Sequence, residues 1–212
     1  MKIAVLVSGT GSNLQALIDA QLSGQLSGQI VGVLSNKADA YALQRATQQQ
    51  IATTVISHKN YSNRAGFDEA MHQQLLAWQV DVVILAGFMR ILTADFVSKW
   101  QGKMLNIHPS LLPYYKGINT HQRVLNTGDR LHGCTVHFVS TELDAGQSIA
   151  QFAIAVAPHD NAETLAKRVH KLEHVLYPQV LQWFCNGQLT WQHGQAYFNQ
   201  KPLEQPIQFA QW

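Results

Sequence analysis

Residues 1–20, MKIAVLVSGTGSNLQALIDA, open with a continuous apolar run, break at two glycines and resume with leucine and isoleucine at helical spacing. A run of Ile3, Ala4, Val5, Leu6 and Val7 without polar alternation suits a strand covered on both faces, as in a parallel sheet. Gly9 and Gly11 permit a tight turn, and Ser12 and Asn13 place hydroxyl, amide and backbone N–H donors where a helix starts. Such a turn suits a phosphate. The apolar segment is too short to cross a membrane and reads better as a buried strand than as part of a signal peptide, so a cytoplasmic location is expected.

The same alternation recurs downstream. IVGVLSN (30–36), ATTVIS (52–57) and DVVILAGF (81–88) are short, branched and nearly continuous in apolar character, while Ser12–Ala20, Ala40–Gln49 and Arg64–Trp78 carry helix-compatible spacing. The resulting β-α-β-α-β-α-β order predicts an α/β fold: a single-domain, doubly wound (Rossmann-like), mostly parallel sheet. After MLNIH (104–108) the pattern changes to a loop with Pro109, Pro113 and Gly117. Two further strand runs follow, GCTVHFVS (133–140) and QSIAQFAIAV (147–156), joined by the acidic turn TELDAG (141–146) and expected to extend the sheet in mixed orientation. Asn161–Cys185 reads as one long helix, with Pro178 expected to bend it or end its first section. From Gly187 the periodicity is weak and predicts a short hairpin and a loose end. The reading is one domain over 1–186, with 187–212 a hairpin and tail packed on it or trailing from it.

Composition narrows the function classes. A chain of 212 residues that is 46% hydrophobic holds one large core. Its 13% charged residues, against about 25% in an average soluble protein, leave the surface to glutamines and other neutral polar groups. A net charge of +2 without a basic block is not the footprint of a nucleic-acid binder, so any anionic ligand is small and locally held. Cys134 and Cys185 form no C-x-x-C pair and read as buried thiols. No metal site is expected. The glycine turn lacks the third glycine of the dinucleotide fingerprint, position 14 being leucine, and Asn36 stands where an acidic residue would hold a ribose, which disfavours a nicotinamide dinucleotide.

The stretch MLNIHPSLLP (104–113) carries the chemistry. Residues two apart on a strand share a face, so Asn106 and His108 point together into the region where Pro109 ends the pairing, at the carboxyl edge of the sheet where the glycine turn also lies. An amide and an imidazole side by side can donate two hydrogen bonds to an oxygen that becomes negative, as addition to a carbonyl requires, and His108 can pass a proton. A carboxylate beside the imidazole favours its charged form. Glu142 and Asp144 are both available in the acidic turn, and the residues alone do not choose between them. There is no G-x-S-x-G and Cys134 is mid-strand, so the attacking group belongs to a substrate.

VLVSGTGSNLQALID, VLSNKADAYALQRA, VVILAGFMRILT, LNIHPSLLP, HGCTVHFVSTELDAGQSIAQ and HKLEHVLYP together resemble the phosphoribosylglycinamide formyltransferases, folate-dependent enzymes of purine biosynthesis, from residue 1 to about 186. The resemblance implies that Asn106 and His108 are catalytic and that Asp144 is the acid holding His108 protonated. It implies a ribonucleotide phosphate on Gly11, Ser12 and Asn13, with the helix at His170, Lys171, Leu172 and Glu173 meeting the remaining polar groups. It places 10-formyltetrahydrofolate against Phe88, Met89, Arg90, Ile91 and Leu92, with Arg64 near its glutamate tail and Ser140, Thr141, Glu142, Leu143 and Asp144 closing over the pterin. Leu112–Pro113 is implied to be cis. In KGINTHQ, Asn119 stands where the family often carries histidine. The implied activity is formyl transfer from 10-formyltetrahydrofolate to the amine of glycinamide ribonucleotide. Folate acts as a cosubstrate, with no tightly bound cofactor and no metal. The expected partners are these small molecules, with no nucleic acid and no membrane, and the chain a monomer or weak homodimer. Two other readings share some of these features: a formylfolate deformylase, and a non-catalytic nucleotide-sensing module.

Overall fold

The computed structural model describes residues 1–211. Its first half follows the alternation in the sequence: β1 (Lys2–Val7), α1 (Ser12–Leu22), β2 (Gln29–Ser35), α2 (Tyr41–Gln48), β3 (Ala52–Val55), a short 3-10 turn (His58–Asn60), α3 (Arg64–Ala77) and β4 (Val82–Leu85). Then come α4 (Ala94–Lys99), β5 (Met104–His108), α5 (Thr120–Thr127), β6 (Leu131–Phe138), β7 (Ser148–Ala155) and α6 (Ala162–Cys185). The chain closes with β8 (Leu189–Gln192), β9 (Gln195–Phe198), β10 (Lys201–Pro202) and β11 (Ile207–Gln211).

Eight strands form one sheet in the order β11-β7-β6-β5-β4-β1-β2-β3. β6 pairs antiparallel with both β5 and β7, and every other pairing in this sheet is parallel. The mixed extension arises because the β6–β7 connection is a short acidic turn, which can join only antiparallel neighbours. Strand order reverses at β1, which lies between β4 and β2, so the crevice outside the carboxyl ends of β1 and β4 is the switch point where ligands collect in such sheets.

Alternation along the strands feeds two apolar layers. Ile3, Val5 and Val7 of β1 face a core shared with Leu14, Leu17 and Ile18 of α1 and Leu165, Val169 and Leu176 of α6. Ala4 and Leu6 face the opposite layer, filled by Phe67, Met71 and Leu75 of α3 and Phe96 and Val97 of α4. α6 starts with a reciprocal cap, the Asn161 side chain accepting from Thr164 N at 2.9 Å while Thr164 Oγ1 accepts from Asn161 N at 2.9 Å.

Two elements differ from the sequence reading, and a third follows it except at its proline. α6 is the one long helix expected, and of the two outcomes expected at Pro178 an ending does not occur, because the buried stripe runs on both sides of it: Leu172, Leu176 and Tyr177 before, Val180 and Leu181 after. Burial of that stripe offsets the ~3 kcal/mol that an interior proline costs. The loop after Pro109 contains α5, whose only buried residues are Thr120 and Val124, too few to register as a periodic apolar face. The tail is not loose: β11 joins the main sheet beside β7 in register from Ile207↔Ala150 to Gln211↔Ile154.

Candidate functional site

β1, β4 and β5 run parallel, so their carboxyl ends bring Ser8–Asn13, Ala86–Leu92 and Asn106–Pro109 to one edge. Ser8 ties two of the neighbouring ends together. Its hydroxyl donates to Asn36 Oδ1 at 2.6 Å and accepts from Met89 N at 2.8 Å. The residue that replaces the dinucleotide-type acid is therefore occupied in holding the crevice floor. Gly11 is the N-cap of α1 with φ 73°, and a Cβ there would lie 2.5 Å from Ala42 Cβ, so glycine is required both by backbone conformation and by packing on α2. Gly9 meets nothing within 4 Å at its Cβ position and faces open space.

A cleft of about 430 Å³ lies over this turn, lined by Gly9–Asn13, Lys37, Gly87, Ile107, Pro109, His170 and Glu173. Asn13 Nδ2 donates to Glu173 Oε2 at 2.8 Å, and burial pushes the Glu173 carboxyl above its usual range. Asn13 Oδ1 is buried without a partner. Of the helix segment proposed for ribonucleotide contact, only His170 and Glu173, three residues apart, face the cleft. Lys171 is exposed on another side and Leu172 packs into the core, because one face of a helix presents every third or fourth residue and not a continuous run. Lys37 was missed by the sequence reading. Its signal was its place just past the end of β2, at the same edge as the glycine turn.

A second cleft, about 480 Å³, shares Gly87, Met89, Ile107 and Pro109 with the first and is lined further by Phe88, Arg90, Ile91, Asn106, His108, Ile118, Asn119, Thr120, Leu143 and Asp144. Met89, Ile91, Ile118 and Leu143 are exposed apolar side chains on its rim, an arrangement suited to a flat aromatic ligand. Leu92, Ser140, Thr141 and Glu142 line a small adjoining recess with Asn106, His137 and Asp144. Arg64, exposed in the first turn of α3, lines neither cleft. Asn119 adopts φ 57° at the N-cap of α5, a left-handed conformation that asparagine tolerates better than histidine.

In the second cleft, between the shared residues Ile107 and Pro109, His108 is buried, its Nε2 2.9 Å from Tyr115 O and its Nδ1 3.4 Å from Asp144 Oδ2. Both ring nitrogens face acceptors, and only the doubly protonated ring donates to both. The structure separates the two acids. The Asp144 side chain is 9% exposed, whereas that of Glu142 is 76% exposed and pairs with Lys116. Asp144 is held at φ 48° and its Oδ2 accepts from Gly117 N at 2.9 Å.

Asn106 is oriented by a residue the sequence reading did not name. His137, opposite Asn106 in the β5–β6 register, has Nδ1 2.8 Å from Phe138 O and Nε2 3.0 Å from Asn106 Nδ2. Nδ1–H donates to the carbonyl, which leaves Nε2 to accept from the amide. Burial lowers the His137 pKa to about 4, keeping it neutral in that role. One amide N–H of Asn106 is thus fixed and its second is left for the cleft. The loop beyond is anchored in turn: Thr135 Oγ1 donates to Ser110 O at 2.7 Å and accepts from Leu112 N at 3.0 Å, while Gln151 Nε2 donates to Leu112 O at 2.7 Å. The Leu112–Pro113 bond is cis.

Other depressions lack this convergence. A larger one, about 970 Å³ between α1 and α6, is lined by His174 and Asp19 but by no strand residue. His170 and His174 stand four apart on α6, yet among the described residues no three His, Cys, Asp or Glu side chains are grouped to hold a metal. Among the described residues no helix is long and apolar enough to cross a membrane.

A switch-point crevice with a glycine turn, and an Asn-x-His pair at the end of the next strand, define the class. The sequence profile described as "Formyl transferase" matches residues 1–181, and the chain belongs to that family. It is 47% identical over 202 residues to the phosphoribosylglycinamide formyltransferase of Haemophilus influenzae, covering 95% of each sequence. The structure of phosphoribosylglycinamide formyltransferase from Coxiella burnetii superposes with a TM-score of 0.95 at 45% identity, over 99% of both chains. The chain is also 53% identical over 186 residues to the bovine trifunctional purine biosynthetic protein adenosine-3, of whose length it spans 18%.

Proposed function

We propose that this chain transfers the formyl group of 10-formyltetrahydrofolate to the amine of 5-phosphoribosylglycinamide. The observation that carries the reading is the pair of clefts that share Gly87, Met89, Ile107 and Pro109, with Asn106, His108 and Asp144 lining the second of them beside that shared wall. One cleft is floored by backbone N–H groups at the start of α1, with Lys37 and His170 on its walls, and the other is rimmed by apolar side chains. The ribonucleotide phosphate lies on Gly11, Ser12 and Asn13, where a helix N-terminus favours an anion, and Glu173 accepts from the sugar hydroxyls. The pterin lies against Phe88–Leu92 and beneath Ser140–Asp144. Arg64, Lys171 and Leu172 line neither cleft and make no substrate contact in this arrangement.

In this arrangement the substrate amine reaches the formyl carbon at the shared wall of the two clefts. Addition places negative charge on the formyl oxygen, which receives the free N–H of Asn106 and the Nε2–H of His108, the oxyanion taking the place of Tyr115 O as its acceptor. The 3.4 Å separation of His108 from Asp144 is longer than the ~2.7–2.9 Å of a closed charge-assisted hydrogen bond, as is common before substrates are bound. Asp144 stabilises the imidazolium, His108 hands a proton to the departing folate nitrogen as the C–N bond breaks and recovers one from the amine that has added, and the protein is never covalently modified. Folate leaves as a cosubstrate after each turnover.

The test is loss of formylfolate on mixing the protein with glycinamide ribonucleotide and 10-formyltetrahydrofolate. Consumption that depends on the ribonucleotide supports transfer. Equal formate release without ribonucleotide identifies a deformylase instead, and full activity in folded His108→Ala removes the catalytic assignment.

A further inference from the structure

The segment after α6 lies outside the matched family profile, yet it reaches the loop that carries Asp144. That loop runs from the end of β6 to the start of β7, and its two bases touch the tail. At one base Phe138, whose carbonyl receives the His137 ring N–H, packs on Trp191 of β8 with ring centroids 4.7 Å apart. Trp191 is seated in turn on Gly102, where a Cβ would come within 2.4 Å of its Cγ. The other base is Gln147, three residues beyond Asp144. Its backbone carbonyl accepts from Phe138 N at 3.0 Å, closing the loop. Its side-chain amide is engaged at both ends, Oε1 accepting from Ala196 N at 2.6 Å and Nε2 donating to Leu203 O at 2.6 Å. Ala196 is fully buried in β9, and Leu203 N donates back to Ala196 O at 2.9 Å. The amide of Gln147 is therefore inserted between two tail segments as if it were a peptide group of the sheet. Gly146, between the two functions, approaches Phe138 O so closely that a Cβ would lie 1.8 Å from it, leaving the backbone no slack there.

We propose that the C-terminal segment is a brace for the catalytic loop and that Gln147 is a positioning residue, holding the Asp144 carboxylate against His108 through its two hydrogen bonds to Ala196 and Leu203. This rests on the formyl-transfer reading above. A rigid base matters because the Asp144 carboxylate itself accepts one backbone hydrogen bond, from Gly117 N, while the Lys116–Glu142 pair elsewhere on the turn is exposed. A misplacement of about 1 Å in a catalytic constellation costs roughly 10²-fold in rate.

Gln147→Met keeps the length of the side chain and removes both hydrogen bonds. Gln147→Glu keeps an acceptor for Ala196 N and loses the donor to Leu203 O. The expected result is a kcat lowered by at least about tenfold in Gln147→Met and by an intermediate amount in Gln147→Glu, with the ribonucleotide KM unchanged and the folate KM raised. In an Asp144→Asn background Gln147→Met should have no further effect on kcat, because the two act as one unit. Amide hydrogen exchange of Gly117, whose N–H reports the position of the carboxylate, should rise in both variants. A lowered Tm with unchanged kcat, losses that simply multiply in the double variant, or unchanged Gly117 exchange would each overturn the brace. Should Gln147→Met fail to fold, Gln147→Glu carries the same comparisons. Absence of formyl transfer in the parent protein would instead overturn the reading of the site, and Gly117 exchange would still decide the brace.

Discussion

Replacing Asn106 by alanine separates binding from catalysis at the centre of the site. The amide has two N–H donors, of which one is bound to His137 Nε2 at 3.0 Å; in the proposed mechanism the other meets the reacting oxygen. Loss of one such donor costs about 10²- to 10³-fold in kcat, roughly 2.7–4 kcal/mol of transition-state stabilisation. The ribonucleotide KM should change little, because the turn at Gly9–Asn13, where the phosphate is proposed to bind, belongs to a different strand end. The first donor has its own consequence. Its removal leaves the buried Nε2 of His137 without a partner, costing about 1–3 kcal/mol in stability. For a chain of this size each kcal/mol lowers Tm by about 2–4 °C. Steady-state kinetics with both substrates, with a thermal melt of the same sample, reads both effects. A kcat reduced by less than tenfold, or a loss confined to KM, would refute the assignment of Asn106 as an oxyanion donor.

Asp144→Asn should lower kcat by roughly 10²-fold, the low end of acid–base contributions, and move the activity profile toward acid, since the neutral amide no longer favours the imidazolium. Glu142→Gln, at an exposed pair with Lys116, should leave the profile in place, and pH–rate curves for both variants decide the matter. Gly9→Val should raise the ribonucleotide KM about ten- to a hundredfold with little change in Tm, because a Cβ there meets nothing within 4 Å. Gly11→Val should lower Tm as well, through its contact with Ala42 and its left-handed φ, and a stable Gly11→Val protein would contradict that geometry. Burial holds His121, His132 and His137 at a pKa of about 4, against about 6.5 in an unfolded chain. The unfolded state therefore binds more protons between these values, so Tm should be flat above pH 6.5 and fall from pH 6.5 to 5, before depressed carboxylates such as Asp160 take up protons. A Tm constant over that window would show that these rings are not held neutral.

Much of the site was legible because its parts are local. The strand-turn-helix of residues 2–22 declares itself through an unbroken apolar run, two glycines and helical spacing. Asn106 and His108 share a face by strand geometry alone, and proline marks where that strand ends. Those features depend on neighbours within a few residues, so the chain order carries them. What remained open depended on residues distant in sequence. Glu142 and Asp144 are equivalent in an acidic turn until the backbone at φ 48° turns one carboxylate inward and leaves the other in solvent. His137 becomes the partner of Asn106 only through the β5–β6 register, 31 residues apart. The helical phase of α6, set by the core beneath it, decides that His170 and Glu173 face the cleft while Lys171 and Leu172 do not. β11 is five residues with only Ile207 and Phe209 alternating toward the core, too short a pattern to declare a strand, and its pairing exists only once β7 is in place. Local stereochemistry wrote the elements into the sequence by itself, whereas the choice among equivalent acids, histidines and tail segments required the packed sheet, since only tertiary contacts distinguish them.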